Sequence, residues 1–376
     1  MDTRNKIALF PEHVAADAPV QDLLHLSRTA LQTDLAQALA STNRAEVYAR
    51  ISNIRASLDR HDHQPQENGT DHTMVVMHRT HLIDALDQIV AAQTLERAHY
   101  YIERLLKGIT ETRTSAINDI NLNRWKEYDD ILTDSLWVIE RRDSSGVHMA
   151  DYWGNFIPQI PNQMMQRYTR QGDWVLDTFA GSGTTLIEGQ RLGRNTIGIE
   201  LQAHVAAAAR QRIAAEPNRY DTLAEITVGD STQLNYRDLL SNYGQRKVQL
   251  VLIHPPYFDI IKFSDDPRDL SNAASIEDFL AGMEQIVAQA CTVLERGRYM
   301  ALVIGDKYVR GEWLPLGFLT MQVVQQQGLT LKSIIVKNFD ETTGKRNQQQ
   351  LWRYRALVGG FYIFKHEYIF VFQKHA

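Results

Sequence analysis

The sequence predicts an α/β protein in which a mainly parallel sheet follows an N-terminal helical module. From Trp174 onward, short apolar runs typical of strands alternate with helical stretches, which is the pattern of a parallel sheet covered by helices on both faces. Before that point the apolar residues follow a mostly helical period. We therefore expect two domains, residues 1–145 and residues 146–376.

The N-terminal module is predicted to be helical. Leucines recur near a 3.6-residue period within residues 19–60, and similar patterns run from about Met74 to Leu106 and through residues 117–142. The polar stretch 61–72 is rich in breakers and is predicted to be a linker. The sequence indicates no internal repeat. We expect this module to recognise DNA or to bind a partner.

Candidate metal ligands in the module are histidines at H-x-H and H-x-x-H spacings, namely His61, His63, His72, His78 and His81. They span a predicted linker and have no matching carboxylate motif, whereas metal ligands must converge and be held by hydrogen bonds. We interpret them as surface histidines and expect no metal. The single Cys291 can form neither an internal disulfide nor a cysteine zinc site, and we interpret it as a small buried hydrophobe.

Composition and charge narrow the class of protein. Apolar residues make up 44% of the 376 residues, no run reaches about 18 apolar residues, and the N-terminus lacks the apolar core of a signal peptide. We expect a cytoplasmic protein without membrane contact. The net charge of −5 argues against a uniformly basic surface, but phosphate binding needs only a local patch. A segment that we call the basic tail, residues 337–376, supplies candidate phosphate contacts at Lys345, Arg346, Arg353 and Arg355. A solvated loop is the alternative.

The predicted sheet has seven strands. They are DWVLDTFAG, NTIGIEL, EITVGDS, VQLVLIHPPY, YMALVIGD, LKSIIVKN and EYIFVFQK. The last strand follows its predecessor without an obvious helix, so we expect these two to pair in antiparallel fashion.

A glycine-rich turn, DTFAGSGTT at residues 177–185, joins the first of these strands to its helix. Gly181 and Gly183 permit a tight turn and a close approach to a ligand, while Ser182 and Thr184 suit a helix N-terminus with free N–H groups. Such a turn alone is a weak signal.

Two carboxylates strengthen the signal from this turn. Glu200 ends the next strand, where it can accept hydrogen bonds from both ribose hydroxyls, and Asp230 follows the third strand, where an adenine ring would lie. The spacing indicates a nucleoside ligand. The dinucleotide fingerprint G-x-G-x-x-G and a Walker lysine are both missing, which disfavours NAD and ATP.

The stretch LIHPPYFDI, residues 252–260, ends the fourth strand. Proline lacks the N–H that a strand needs and fixes φ, so Pro255 and Pro256 stop the strand and hold Tyr257 rigidly. Open α/β sheets bind ligands at the carboxyl ends of their strands. We therefore expect part of the site here, with a plain strand-ending turn as the alternative.

Together these motifs resemble those of the S-adenosylmethionine-dependent DNA amino-methyltransferases, which modify adenine N6 or cytosine N4. DTFAGSGTT is similar to their D-P-F-x-G-S-G-T-T motif, and HPPY is similar to their [DNS]-P-P-[YFW] motif. The likeness covers roughly residues 150–376, and it implies a Rossmann-like methyltransferase fold with S-adenosylmethionine as cofactor. The cofactor-binding residues that it implies are Asn155, Phe156, Asp177, Phe179, Gly181, Ser182, Gly183, Thr184, Glu200, Leu201, Asp230 and Ser231.

Two features depart from the family pattern. The sequence of the glycine motif is that of family members in which the P-P-Y motif comes first along the chain. Here the glycine motif comes first and P-P-Y follows, which is the linear order of a plain methyltransferase domain. His254 also stands where the family has Asp, Asn or Ser. A neutral histidine can accept a hydrogen bond from the target amine through one ring nitrogen, but the usual clue to adenine or cytosine is missing.

The resemblance implies catalytic roles for His254, Pro255, Pro256 and Tyr257. An exocyclic amine is a poor nucleophile, so the enzyme must hold its nitrogen in line with the methyl group and accept its protons. In the family, a carbonyl of the proline pair and the preceding side chain contact the amine, and the aromatic residue stacks on a base flipped out of the duplex. No metal is needed.

We therefore expect methylation of DNA, with adenine N6 slightly favoured over cytosine N4, in restriction-modification, phage defence or epigenetic marking. RNA or protein methylation, or a degenerate fold kept as a binding subunit, are the alternatives. After P-P-Y the chain has no extra domain for reading bases. The N-terminal module, the basic segment 337–365, or a specificity or partner subunit must supply that function, unless the sequence preference is weak. A homodimer is a further expectation about partners that the sequence leaves open.

Overall fold

The computed structural model of the chain describes residues 22–58, 74–149, 154–309, 311–339 and 349–375. These residues form two compact units. The smaller extends to Ala116 and includes Ile120–Asp130, while the larger comprises Ile117–Asp119 and the chain from Ile131 onward. The predicted domain boundary at residue 145 lies further along the chain than this division.

The described residues of the smaller unit form two strands and four α-helices. In chain order they are β1 (Leu23–Ser27), α1 (Arg28–Leu39), α2 (Arg44–Leu58), β2 (Met74–His78), α3 (Arg79–Val90) and α4 (Leu95–Thr110). The predicted helices therefore begin too early in both halves, because residues 23–27 and 74–78 are strands. The helix predicted through residues 117–142 is also wrong, since this segment contains only a short 3-10 helix, Leu122–Glu127, and the two-residue strand Leu136–Trp137. In β1 the burial alternates, with Leu24 and Leu26 inside, which is the two-residue period of a half-buried strand.

The prediction that the sequence has no internal repeat is wrong. The succession of strand, helix and helix occurs twice in the smaller unit, and the second copy begins 51 residues after the first, Met74 after Leu23 and Arg79 after Arg28. One apolar core joins the two copies.

The larger unit is built on an eight-stranded sheet. Its strands are β3 (Leu136–Trp137), β4 (Trp174–Asp177), β5 (Asn195–Glu200), β6 (Ala224–Val228), β7 (Val248–Ile253), β8 (Leu294–Ile304), β11 (Leu329–Asn338) and β12 (His366–Lys374). All seven predicted strands are present, and β3 adds a short eighth strand at one edge. Two further strands, β9 (Lys307–Val309) and β10 (Glu312–Leu314), form a separate hairpin.

The order of strands in this sheet is β3-β11-β12-β8-β7-β4-β5-β6. Neighbouring strands are parallel except for β12, which runs antiparallel to both β11 and β8, as predicted. From β4 the chain proceeds to one side through β5 and β6, then returns to the other side through β7 and β8. The fold is the Rossmann-like α/β fold that the sequence predicted, and its topological switch point lies between β4 and β7.

Helices flank the sheet of the larger unit. They are α5 (Gln159–Tyr168), α6 (Thr184–Leu192), α7 (Ala203–Ala215), α8 (Tyr236–Ser241), α9 (Ile276–Val293), α10 (Leu316–Gln326) and α11 (Gln349–Gly359). The longest, α9, begins where Ser275 caps the free N–H of Asp278 at 3.1 Å, and it buries Phe279 and Met283. No helix within the described ranges has the length and apolarity that a membrane crossing requires.

Candidate active site

A cleft opens at the carboxyl ends of β4, β5, β6 and β7, where the strand order reverses. It encloses about 790 Å³, including the open solvent at its mouth. The predicted site residues that line it are Asn155, Phe156, Phe179, Gly181, Ser182, Glu200, Leu201, Asp230, Ser231, His254, Pro255 and Pro256. Segments far apart in the sequence thus meet in one cleft.

Three of the predicted cofactor residues, Asp177, Gly183 and Thr184, do not line the cleft but contact residues next to it. The carboxylate of Asp177 is buried and accepts a hydrogen bond from the Phe179 N–H at 2.9 Å; burial raises its pKa to about 6. Gly183 has φ = 86°, and a Cβ atom there would lie 3.2 Å from Ile213 Cδ1. Thr184 donates to Asn155 Oδ1 at 2.7 Å, which ties the segment before α5 to the start of α6.

Glu200 is held rigidly against the glycine turn. Its Oε2 accepts a hydrogen bond from the Gly181 N–H at 3.0 Å, and its Oε1 accepts one from the Gln202 N–H at 2.8 Å. Gly181 adopts φ = 48°, a left-handed conformation that favours glycine. Burial raises the pKa of Glu200, while these two N–H groups act in the opposite direction. Each carboxylate oxygen keeps a lone pair for a further donor in the cleft.

Asp230 is oriented by the residues that follow it. Its Oδ1 accepts hydrogen bonds from the N–H and the hydroxyl of Thr232, at 2.8 and 2.7 Å. The neighbouring Ser231 donates to the Thr178 carbonyl at 2.6 Å, and Tyr236 donates to the Ser231 carbonyl at 2.9 Å. The loop after β6 is therefore tied to the turn after β4.

A buried chain of hydrogen bonds lies behind the proline motif. Lys337 donates to Glu367 Oε1 at 3.0 Å, Tyr257 donates to Glu367 Oε2 at 2.7 Å, and His254 Nε2 lies 3.2 Å from the Tyr257 oxygen. Burial raises the pKa of Glu367, but the charge of Lys337 and the hydrogen bonds from Tyr257 and Lys337 outweigh it and leave this pKa below its usual value. Glu367 is therefore ionised and is the acceptor for Tyr257.

This chain fixes the tautomer of His254. Tyr257 has one hydroxyl proton and gives it to Glu367, so the contact with His254 requires Nε2–H to donate to the tyrosine oxygen. Burial lowers the pKa of His254 to about 4, while the charge of Glu367 acts in the opposite direction and that of Lys337 in the same one. The ring is therefore neutral near pH 7, with Nδ1 as its acceptor.

Tyr257 does not line the cleft. Its ring packs so closely on Gly305 that a Cβ atom there would lie 2.9 Å from Tyr257 Cε2. Burial and the carboxylate of Glu367 raise its pKa well above the usual value. The predicted stacking of Tyr257 on a base stays a prediction. The next residue, Phe258, has φ = 54°, a strained conformation that often accompanies a functional site.

Several cleft residues were missed by the sequence analysis. Phe263, Arg268 and Asp269 come from the loop after P-P-Y and line the cleft together with Gly154 and Gln202. Asp269 is buried and accepts hydrogen bonds from Ser264 and from the Ser271 N–H. This loop has no motif, and only its position after β7 could have indicated it.

Of the predicted phosphate contacts, two belong to the described residues. Arg353 and Arg355 are exposed on α11, and the Arg355 guanidinium lies 5.2 Å from the centre of the Trp352 ring. Lys345 and Arg346 lie outside the described residues, as do His61, His63 and His72. Among the described residues no three potential metal ligands converge.

Comparison with protein families agrees with these features. The sequence profile of the N6 and N4 methyltransferases, described as DNA methylase, matches residues 71–211 and 248–376. This is well over half of the chain, and it includes both the glycine turn and the HPPY motif.

Curated relatives match over shorter stretches. The Type II methyltransferase M2.DpnII of Streptococcus pneumoniae is 32% identical over 31% of this chain and 37% of its own length. The tRNA (guanine(10)-N2)-dimethyltransferase of Methanocaldococcus jannaschii is 27% identical over 32% of this chain and 36% of its own. The chain thus spans little more than a third of these relatives. The solved structure of TrmN from Thermus thermophilus is 17% identical over 58% of this chain and 49% of its own, with a TM-score of 0.37.

Proposed function

Because the chain belongs to the DNA methylase family of N6 and N4 methyltransferases, we propose that it transfers a methyl group from S-adenosylmethionine to an exocyclic amine of a DNA base. The observation that carries this proposal is that Glu200 and the glycine turn share one cleft with His254, Pro255 and Pro256. We propose adenine N6 slightly ahead of cytosine N4. A role in restriction-modification is supported by the Type II methyltransferases among the relatives.

The cleft residues fit the cofactor. The two oxygens of Glu200 can each accept a ribose hydroxyl beside the backbone N–H that they already bind. Asp230 stands at the end of the adjacent strand, where the adenine ring would lie. The glycine turn leads into the N-terminus of α6, where backbone N–H groups favour polar ligand atoms. When bound, S-adenosylmethionine supplies an electrophilic methyl group on a sulfonium.

The proline motif would hold the target amine. His254 presents Nδ1 as an acceptor for an amine hydrogen, since its Nε2–H is used by Tyr257. Pro255 and Pro256 fix the backbone next to it, so that a carbonyl of the pair can accept the second amine hydrogen. Phe156 packs edge-on against His254, with ring centres 4.7 Å apart, and restricts its rotation. The flipped base would enter from the open side of the cleft.

Methyl transfer to three classes of substrate tests the proposal. The protein is incubated with methyl-labelled S-adenosylmethionine and, in parallel, with duplex DNA, RNA or a protein mixture. We expect label in DNA, and digestion to nucleosides then identifies N6-methyladenine or N4-methylcytosine. Label in RNA alone would favour the second candidate, an RNA methyltransferase, which the similarity to the tRNA dimethyltransferase supports. Cofactor binding without transfer to any substrate would support a degenerate binding subunit.

Lys337→Met is expected to lower the free energy of unfolding by about 3–5 kcal/mol, because it leaves the buried carboxylate of Glu367 without its cation. The double variant Lys337→Met/Glu367→Leu should regain most of this stability, since it removes both charges. Its methyl transfer should nevertheless remain slower than that of wild type, because Tyr257 then lacks the acceptor that fixes the His254 tautomer.

Denaturant unfolding measures the effect of these substitutions on stability, and single-turnover transfer measures their effect on the rate. Transfer at the wild-type rate in a stable double variant would show that the buried chain is only structural. Exposed Lys262, paired with Asp265 on the surface, is a matched control, and Lys262→Met should leave the free energy of unfolding nearly unchanged.

Neutralising the basic tail is expected to weaken DNA binding and flatten its salt dependence. We propose that Lys345, Arg346, Arg353 and Arg355 bind phosphates of duplex DNA. Removing one such phosphate interaction lowers the log–log salt slope by up to about 0.9. The measurement is a titration of duplex DNA at several salt concentrations.

A matched control for the tail is the double variant Arg219→Ala/Arg246→Ala, which removes two exposed arginines elsewhere in the larger unit. If Arg353→Ala/Arg355→Ala gives the same slope as this control, the tail is an ordinary solvated segment.

A further inference from the structure

The smaller unit has an internal two-fold symmetry. Its buried residues recur at the same positions in both copies of the repeat: Leu31 and Leu82 in the first helices, and Ile51 and Ile102 in the second helices, are again 51 residues apart. The two copies are therefore alike in packing, although few of their exposed residues match.

The symmetry axis passes through the paired strands. β1 and β2 form a two-stranded antiparallel ribbon in which His25 pairs with Val76, and these two residues are themselves equivalent in the repeat. Leu23 pairs with His78 and Ser27 with Met74, symmetrically about that centre. Each half of the ribbon is thus the counterpart of the other.

One face of this ribbon is exposed. The inner face packs Leu24, Leu26, Val75 and Met77 into the core. On the outer face His25 and Ser27 are exposed, Leu23 and Val76 are 41% and 40% exposed, and Met74 and His78 are partly exposed. Arg124 donates to the Val76 carbonyl at 2.6 Å, which covers the edge of β2 and leaves the outer face open.

The ribbon carries basic groups without acids. Residues 23–28 and 74–79 contain Arg28, Arg79, His25 and His78 but no Asp or Glu. The nearest carboxylate in the sequence, Asp22, accepts hydrogen bonds from the N–H and hydroxyl of Thr80 and lies 3.4 Å from His78 Nδ1. The positive groups here are the two arginines at the ends of the ribbon strands, which also donate to the carbonyls of Met74 and Leu58, and their sign suits a polyanion.

We propose that this ribbon enters the major groove of duplex DNA and that its outer side chains read base edges. A two-stranded ribbon is one of the elements that the major groove admits. Ser27 and the two histidines can donate to or accept from base edges, while Leu23 and Val76 suit the methyl group of thymine. The inference rests on the proposed function only in naming DNA as the partner, and it assigns sequence reading to the smaller unit.

The symmetry dictates the form of the bound sequence. Equivalent halves of the ribbon would meet two half-sites related by a two-fold axis, as in DNA-binding dimers. The half-sites should differ in sequence, because equivalent outer residues differ: Ser27 corresponds to His78, and His25 to Val76. His78→Ser makes the copies alike at one position and should alter the preference in one half-site only. Ser27 already caps α1, so serine is compatible with this position before a helix.

Selection from a library of duplexes with randomised sequence tests the inference. The full chain is used without any methyl donor, so the outcome does not depend on catalysis. We expect wild-type protein to enrich an imperfectly palindromic motif. His25→Ala/His78→Ala should bind this motif roughly tenfold less tightly for each hydrogen bond to a base that is removed. His375→Ala, which removes an exposed histidine of the larger unit, should bind like wild type.

Specific outcomes would overturn the inference. They are a wild-type protein without sequence preference, or an unchanged motif and affinity in the double histidine variant. A third such outcome is that light scattering shows wild type to be a dimer and His25→Glu to be a monomer, since the ribbon would then pack against a second copy of the chain. DNA bound through the ribbon, together with no methyl transfer to this DNA when S-adenosylmethionine is supplied in a separate assay, would leave the inference intact and refute the proposed function.

Discussion

Glu200→Ala is expected to weaken the binding of S-adenosylhomocysteine by about a hundredfold or more. The buried carboxylate would accept two charge-assisted hydrogen bonds from the ribose, each worth about 1.5–3 kcal/mol. Glu200→Gln should also bind weakly, because the amide nitrogen would face the N–H of Gly181 or Gln202 in place of an acceptor.

Calorimetric titration with two ligands makes the role of Glu200 specific. A ligand that lacks the 2′-hydroxyl should bind wild type less tightly than S-adenosylhomocysteine does, yet the two ligands should bind Glu200→Ala about equally. Glu225→Ala, which removes an exposed glutamate from the next strand, should leave binding unchanged. Equal affinity of wild type and Glu200→Ala for S-adenosylhomocysteine would place the cofactor elsewhere.

The parallel sheet could be predicted because each of its strands can be recognised from its own residues. Strands such as β7 and β12 are buried on both faces and therefore read as continuous apolar runs. Most of the predicted cleft residues were found for a related reason, since the glycine turn and HPPY each follow a strand directly and the ends of parallel strands meet at one edge.

The parts that could not be predicted depend on residues distant in the sequence. The leucines of β1 continue the spacing of those in α1, so the strand resembled a helix until its partner 51 residues later was known. The series of hydrogen bonds from Lys337 through Glu367 to Tyr257 links residues up to 110 positions apart in the sequence. The sequence around each of these residues does not indicate that they interact. A repeat of R-T-x-L at residues 28–31 and 79–82 was the signal that could have revealed the duplication.

The expected pH dependence of methyl transfer also changes with the structure. With its ordinary pKa near 6.5, His254 would lose its acceptor nitrogen on mild acidification, and transfer would fall below that pH. Burial lowers this pKa to about 4, so the contribution of His254 to transfer should stay level from pH 8 to about 5 and fall as the pH passes through about 4. Because the pKa is depressed in the folded state, the matching contribution to stability is complete above about 6.5 and is lost as the pH falls towards 4.

His254→Ala is expected to slow single-turnover methylation of DNA by about 10²–10⁴-fold while S-adenosylhomocysteine still binds, because the missing acceptor acts on the amine in the transition state. His254→Asn and His254→Asp restore acceptors of the kind found in the family and should keep measurable transfer. His148, buried against Glu188 away from the cleft lining, gives a control for loss of a buried histidine, and His148→Ala should affect stability more than transfer. Full transfer by His254→Ala would refute the role of Nδ1 and leave the carbonyl of the proline pair as the group that positions the amine. A wild-type midpoint near pH 6.5 would instead refute the lowered pKa of His254.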